Sequence, residues 1–293
     1  MKIRNVIALF CMQLLVIALA AGAVFAEFGY GTITGRVQLS EKQESISGGV
    51  YLFDTNSGPA PDPLRYLRVP EMIDMLKPDG SFSIAAPPGV YYLGLIVRRT
   101  NGPEIGPPRT GDMVIVSRDM ELKAVKYTID AGKTVDAGTL SQAHEYRPAP
   151  TTFDDPTDLA TGIAGKVLDT DNKPVGVVVV LAYPNIEMTG IPVYVSERSM
   201  PDGSYLLRTG GAGTFYLRVR AEYGGGPMVE GELIGVYGGE TPTPVKVKEH
   251  MVTRNTDIIV KKLPPVGPER RAVMEGASGK QKGGAPNKPQ GGK

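Results

Sequence analysis

From residue 30 to residue 263 the apolar positions fall in short alternating runs. Tyr91, Leu93, Leu95 and Val97 share one side of a strand; Phe215, Leu217 and Val219 share one side of another, with Tyr216, Arg218 and Arg220 opposite. Val125, Tyr127 and Ile129 alternate with Lys126, Thr128 and Asp130. Period-two alternation broken by Gly, Pro and Asp predicts antiparallel sheets with one buried face. Between residues 27 and 263 no stretch keeps a 3.6-residue period, so no helix is expected there. Residues 177–183 are apolar at every position and predict a central strand covered on both faces.

The pattern occurs twice. Pro78-Asp79-Gly80-Ser81-Phe82 matches Pro201-Asp202-Gly203-Ser204-Tyr205, and each is followed by a Gly and an aromatic strand beginning at Gly89 or Gly213. Each is preceded by a Gly-centred strand, around Gly35 or Gly165, and followed by a last strand pair. Matching positions stand about 120 to 130 residues apart, one register with small insertions, which marks a tandem duplication. Each copy has the length of a β-sandwich of about seven strands and ~100 residues. In Pro-Asp-Gly the proline presets the turn, the Asp caps its own backbone and the Gly accepts positive φ. Asp79 and Asp202 are therefore read as turn residues. The first copy is longer between Gly35 and Pro78, and the extra residues, 56–70, contain four prolines (Pro59, Pro61, Pro63, Pro70) and predict an extended surface loop.

These motifs resemble the carboxypeptidase regulatory-like domain. The resemblance rests on Gly-x-Val, on Lys173-Pro174-Val175-Gly176 before an apolar strand, on Pro-Asp-Gly-Ser-Tyr, and on Pro87-Pro88-Gly89-Val90-Tyr91. It covers most of residues 30–142 and 161–263. It implies a transthyretin-like seven-stranded sandwich, grouped by fold with starch-binding-like (carbohydrate-binding-like) modules, and no catalytic function of its own. The chain departs from the pattern at Ser47-Gly48-Gly49 and at Gly210-Gly211-Ala212-Gly213, which stands where the first copy has Pro-Pro-Gly. A zinc carboxypeptidase domain is not part of the chain, so nothing of that catalysis transfers.

The amino terminus changes the setting. Lys2 and Arg4 precede an apolar run from residue 6 to residue 20, and Val24-Phe25-Ala26 closes it with the residues a signal peptidase reads. Residues 1–26 are expected to be a cleaved export signal, with the mature chain starting at Glu27. Cleavage leaves no integral membrane span and removes the only cysteine, Cys11. Thiol catalysis, covalent haem and thiolate zinc sites are then excluded. An exported chain without disulfides depends on its cores. The expected location is the periplasm or the cell surface. The division that follows is signal 1–26, first sandwich 27–142, linker 143–160, second sandwich 161–263 and tail 264–293.

Composition adds exclusions. Lys+Arg number 32 against 31 Asp+Glu, which gives no global field for nucleic acid. The chain has 37 Gly and 25 Pro, roughly a fifth of its residues, below the share of a disordered chain. His144 and His250 do not form a zinc cluster, and no Gly-x-Ser-x-Gly or phosphate-binding motif is present. Asp169, Asp171 and Asn172, and Asp154, Asp155 and Asp158, bring acidic oxygens together, but they read as turn and linker residues, not as a calcium loop. No cofactor or metal is expected. Tyr92, Tyr216, Arg218 and Arg220 fall on the strand face opposite the core and are the candidate contacts for a glycan or a partner protein, although cross-strand aromatics also serve simply to stabilise a sheet.

In the tail, Arg270, Arg271, Lys280, Lys282, Lys288 and Lys293 outweigh Glu269 and Glu275. Gly, Pro and Lys dominate it, so it is expected to be disordered, with weak contact to anionic envelope surfaces. The sequence thus points to an exported, non-catalytic binding or scaffold protein contacting an envelope protein or polysaccharide. The alternative is an accessory subunit or spacer for a separate envelope enzyme.

Overall fold

The computed structural model describes residues 29–40, 45–99, 101–148, 160–221, 223, 228 and 230–264. The expected export signal, residues 149–159 of the linker and the tail beyond Pro264 lie outside the described residues.

The first copy runs through β1 (Gly31–Val37), β2 (Gly48–Asp54), β3 (Leu67–Arg68), β4 (Met72–Met75), β5 (Ser81–Ala86), β6 (Gly89–Val97), β7 (Met113–Val116), β8 (Lys126–Ile129), β9 (Thr134–Leu140) and β10 (Ala143–Glu145). The second runs through β11 (Gly162–Leu168), β12 (Val179–Tyr183), β13 (Tyr194–Val195), β14 (Ser204–Arg208), β15 (Gly213–Arg220), β16 (Leu233–Val236), β17 (Val245–Val247), β18 (Val252–Thr253) and β19 (Ile258–Lys262). The fold is all-β, and among the described residues no helix is long and apolar enough to cross a membrane.

The duplication holds strand by strand. β1 pairs with β5 as β11 does with β14; β2 with β6 as β12 with β15; β6 with β7 and β8 as β15 with β16 and β17. The alternation predicts antiparallel sheets, and the pairings of β9, β18 and β19 with the first strand of each copy depart from that. β9 lies parallel to β1, and β18 and β19 lie parallel to β11; in the first copy the last segment leaves the sheet of β6 and β8 for that of β1 and β5, whereas in the second β19 also pairs with β16 and joins the layers into one continuous sheet. Ala143–Glu145, assigned above to the linker, form β10 and pair with β7, with His144 opposite Val114.

Both Pro-Asp-Gly turns are built alike. Asp79 Oδ1 accepts from the Ser81 N–H at 2.9 Å and its hydroxyl at 2.7 Å, and Asp202 Oδ1 accepts from the same groups of Ser204 at 3.0 and 2.6 Å. Gly80 and Gly203 take φ of 84° and 77°, the left-handed region that glycine enters without a Cβ penalty.

Strand parity divides the apolar residues among successive layers. Tyr91, Leu93, Leu95 and Val97 of β6 face Ile33, Phe82 and Ile84 inside the first copy. Val180 and Ala182 of β12 and Phe215, Leu217 and Val219 of β15 face Ile163, Tyr205 and Leu207 inside the second. The opposite parity, Tyr51, Phe53, Ile96 and Val114 from the first copy and Val179, Leu181, Tyr183 and Val195 from the second, forms a third apolar cluster between the copies. Of the central strand expected at 177–183, Val179–Tyr183 form β12 and are covered on both faces, the second cover being the other copy; Val177 falls outside the strand, exposed and with φ of 66°. Two sandwiches are packed sheet to sheet into one body.

Candidate functional site: the joint between the two copies

The extra residues of the first copy build much of this joint. Residues 56–70 do not run free over the surface. β3 adds to the edge of the second copy's sheet, with Leu67 opposite Val195 and Arg68 opposite Tyr194. An edge strand offers unpaired N–H and C=O groups, and a neighbouring segment that pairs with them closes the edge. Prolines on either side keep this segment extended, and Leu67 and Val69 give it apolar side chains to bury.

Tyr66 leads the segment into the second core. Its ring meets Tyr194 edge-on at 5.8 Å, and Tyr194 meets Phe215 in the same way at 5.6 Å. The Tyr66 hydroxyl donates to the Ala60 carbonyl at 2.6 Å, and burial pushes its pKa up to about 12. A Cβ on Gly210 would come within 2.6 Å of Pro59 Cγ and 2.8 Å of Tyr66 Cζ. The first copy's loop thus packs on the second copy at Gly210, the residue just before those that stand in place of Pro87-Pro88-Gly89.

Arg68 is buried at the centre of the joint. Its Nη1 donates to the Gly58 and Pro59 carbonyls, its Nη2 to the Asp54 carbonyl and Glu71, and its guanidinium lies 5.4 Å from the centre of the Phe53 ring. Burial lowers its pKa, and the carboxylate of Glu71 opposes that. At the other side Tyr146, after β10, donates its hydroxyl to Glu197 of the second copy. Burial raises the pKa of both groups.

Beside the joint a narrow cleft opens to solvent. Tyr51, Tyr66 and Tyr223 line it, Pro61 and Pro63 form one wall and Pro107 the other. Gly94 of β6 adds no side chain to the lining, and the Phe53 ring lies 3.1 Å from where a Cβ would stand. The Tyr51 hydroxyl donates to the Gly106 carbonyl at 3.0 Å, tying the proline wall to the sheet. A cleft with an apolar lining and few polar groups, at a junction of modules, is the ordinary form of a binding site.

The candidate contacts read from sequence all face this joint rather than open solvent. Tyr92 and Tyr216 pack against the cluster between the copies, and Lys126 Nζ sits 6.0 Å from the centre of the Tyr92 ring. Arg218 lies 5.3 Å from the centre of the Tyr183 ring. Arg220 is buried in an ion pair with Glu232. The outer parity was read correctly; what covers it was not visible in local alternation.

The cleft itself was missed. Its signal was two separate clusters, prolines 59 to 70 and Pro107-Pro108, each beside apolar residues in an otherwise polar loop. Asp169 caps a turn, accepting from the N–H groups of Asp171 and Lys173, while Asp154, Asp155 and Asp158 lie outside the described residues. Among the described residues no group of three or more His, Cys, Asp and Glu is placed to hold a metal.

No protein-family profile matches the chain, and no curated protein is similar to it in sequence. Among solved structures, the chain is similar to the Bacillus anthracis TIE protein at 13% identity and a TM-score of 0.23, covering 80% of this chain and 34% of that one. It is similar to a DUF3823 family protein from Parabacteroides merdae at 14% identity and a TM-score of 0.21, covering 75% and 98%. The shaft pilin SpaA from Lactobacillus rhamnosus GG gives 11%, 0.22, 81% and 100%. The chain spans about a third of the first of these.

Proposed function

We propose that the chain is an exported, non-catalytic binding and scaffold protein of the cell envelope, built from two carboxypeptidase regulatory-like modules at 27–142 and 161–263. The observation that carries this reading is the joint. An added strand, an aromatic ladder and a shared apolar layer pack the two copies together beside the proline- and tyrosine-lined cleft. Preorganised, largely apolar clefts bind with little ordering cost. The candidate contacts Tyr92, Tyr216, Arg218 and Arg220 then serve to hold the copies together, and the partner, an envelope protein or polysaccharide, is met at the cleft. The basic residues beyond 269 add a reversible, salt-sensitive contact with anionic envelope polymers.

The test is affinity capture from native envelope with the full-length protein and with Tyr223→Ser. The reading expects a specific chain or glycan with the parent protein and at least a tenfold loss with the variant. Equal capture by both overturns the cleft assignment. The intact mass of the native protein checks export: the expected mature chain begins at Glu27, and a retained Met1 overturns it.

A further inference from the structure

We infer that Asn101-Gly102, in the loop between β6 and β7, is a site of spontaneous modification, where the asparagine side chain becomes an acid through a cyclic imide. The Gly102 nitrogen attacks Asn101 Cγ and forms a new N–C bond. The bond from Cγ to Nδ2 breaks, and Nδ2 takes the proton that Gly102 gives up and leaves as ammonia. Water then opens the imide on either side, giving aspartate, or isoaspartate with one more carbon in the backbone. The reaction needs no enzyme, oxidant or metal.

Three observations place it here. Asparagine is a thermolabile residue type, and of the seven in the chain only Asn101 precedes a glycine, which has no Cβ to crowd the attacking nitrogen. Both residues are exposed, and among the described residues no group bonds to the Asn101 side-chain amide or accepts from the Gly102 N–H. The fold also demands the glycine: its φ is 134°, and a Cβ there would overlap Arg109 Nη1. Asp79-Gly80 and Asp202-Gly203 offer the same ring closure. Their carboxyl groups, however, are held by Ser81 and Ser204, which lower their pKa and keep them ionised, a form that does not expel its oxygen.

Conversion alters one grip on the loop. Arg109 donates from Nη1 to the Asn101 carbonyl at 2.8 Å and from Nη2 to the Pro103 carbonyl at 2.9 Å. Arg98 holds the next stretch through the carbonyls of Glu104, Gly106 and Pro107. Either product adds a negative charge to the residue that Arg109 grips, and isoaspartate also displaces the carbonyl. Arg98 and the Tyr51 hydroxyl still hold Gly106 and Pro107, so the change stops short of the cleft. Failure of this inference leaves the binding reading untouched.

The test incubates the full-length protein at mildly alkaline pH and follows its peptides by mass spectrometry, with isoaspartate read from its altered elution. Residue 101 should gain the mass of an amide replaced by an acid sooner than any other asparagine. The rate should climb with pH, as the Gly102 nitrogen loses its proton more readily. It should be at least tenfold slower in Asn101→Gln, whose longer side chain closes a less favourable ring. In the converted protein the Arg109 Nε–H signal should shift by NMR while the Tyr51 ring signals stay. An Asn101 that converts no faster than the other asparagines, or an equal rate in Asn101→Gln, overturns the inference. An Arg109 signal unchanged after full conversion overturns its link to the loop.

Discussion

Arg220 and Glu232 meet through two hydrogen bonds, Nε to Oε1 at 2.7 Å and Nη2 to Oε2 at 2.9 Å, with both side chains buried. The first copy holds the counterpart. Arg98, just past β6, meets Asp112, just before β7, at 2.6 Å with both side chains buried. Each pair closes the loop between the same two strands, and each acid follows a glycine of positive φ, Gly111 at 90° and Gly231 at 78°. Removing one member of a buried pair leaves a charge without compensation, whereas removing both does not. Glu232→Ala should therefore cost about 3 to 5 kcal/mol in denaturant unfolding, and Arg220→Met with Glu232→Leu markedly less. Equal losses for the single and the double variant would show that the pair is not coupled.

Asp112 and Glu197 give opposite pH dependences. Burial works against the Asp112 carboxylate, but the Arg99 and Arg109 N–H groups and the Arg98 guanidinium outweigh it and hold its pKa below the usual range. Its stabilisation is present above the ordinary carboxylate pKa and is lost as pH falls through the lowered value. Glu197 is raised by burial, so its contribution runs the other way and is lost as pH rises above the ordinary value of about 4.3. Stability measured from pH 2 to 7 should lose part of its acid fall in Asp112→Asn. Glu197→Gln should gain stability toward pH 7, keeping a partner for the Tyr146 hydroxyl. A Glu197→Gln curve parallel to the parent's would exclude the second assignment.

Gly210 and Gly211 are neighbours with different surroundings. A Cβ on Gly210 meets Pro59 and the Tyr66 ring, which is held by its hydrogen bond and by Tyr194; a Cβ on Gly211 meets nothing within 4 Å. Gly210→Ala should destabilise by about 1 to 3 kcal/mol, the range for overpacking, and Gly211→Ala by less than about 0.5. Thermal unfolding of the two variants decides it. Similar values for both would mean that residues 59–66 do not rest on the second copy.

Much of the fold was legible because its signals are local. The two Pro-Asp-Gly-Ser turns and the alternation in 91–97 and 215–219 each act within a few residues, and they yielded the duplication and the inward faces. The joint is not local. Nothing along 51–53 or 179–183 says which second surface covers the outward side chains, only that residues 177–183 need one. The prolines at 59 to 70 fit a surface loop and an edge-closing strand equally well; Tyr66, Leu67 and Val69 decide between them only when a neighbouring edge is known. The buried ion pairs did leave a trace, an Arg at the end of each aromatic strand and a Gly-Asp or Gly-Glu before the next, but a charged pair 14 positions apart in one copy and 12 in the other has no period to reveal it.

Leu122 occupies the left-handed region with φ of 62° and is largely exposed. Its turn is fixed by Asp119, whose Oδ1 accepts from the Glu121 and Lys123 N–H groups. The same turn at 169–173 places Asn172 there, φ 59°. Asn tolerates this conformation and leucine pays about 1 kcal/mol or more for it. Leu122→Asn should raise stability by about 0.5 to 1 kcal/mol, read as a higher denaturant midpoint with unchanged slope. An unchanged or lowered midpoint would show that the side chain contributes more in place than its backbone strain takes away.

The layered architecture makes a claim about cooperativity that the two copies considered separately would not. Tyr91 and Phe215 are buried in different cores, yet the cluster between the copies ties β2 and β6 on one side to β12 and β13 on the other. Unfolding either sandwich alone would expose Val179, Leu181, Tyr183, Phe53 and Ile96 together, apolar surface that domains joined only by a linker would not share. Tyr91→Ala and Phe215→Ala should each cost about 3 to 5 kcal/mol, as truncated buried aromatics do. Both variants should still unfold in one transition, with fluorescence and circular dichroism coincident. Leu181→Asp, which places a charge in the shared layer, should split that transition in two. Two transitions already in Phe215→Ala, with the first copy unaffected, would mean that the joint is too weak to couple the sandwiches.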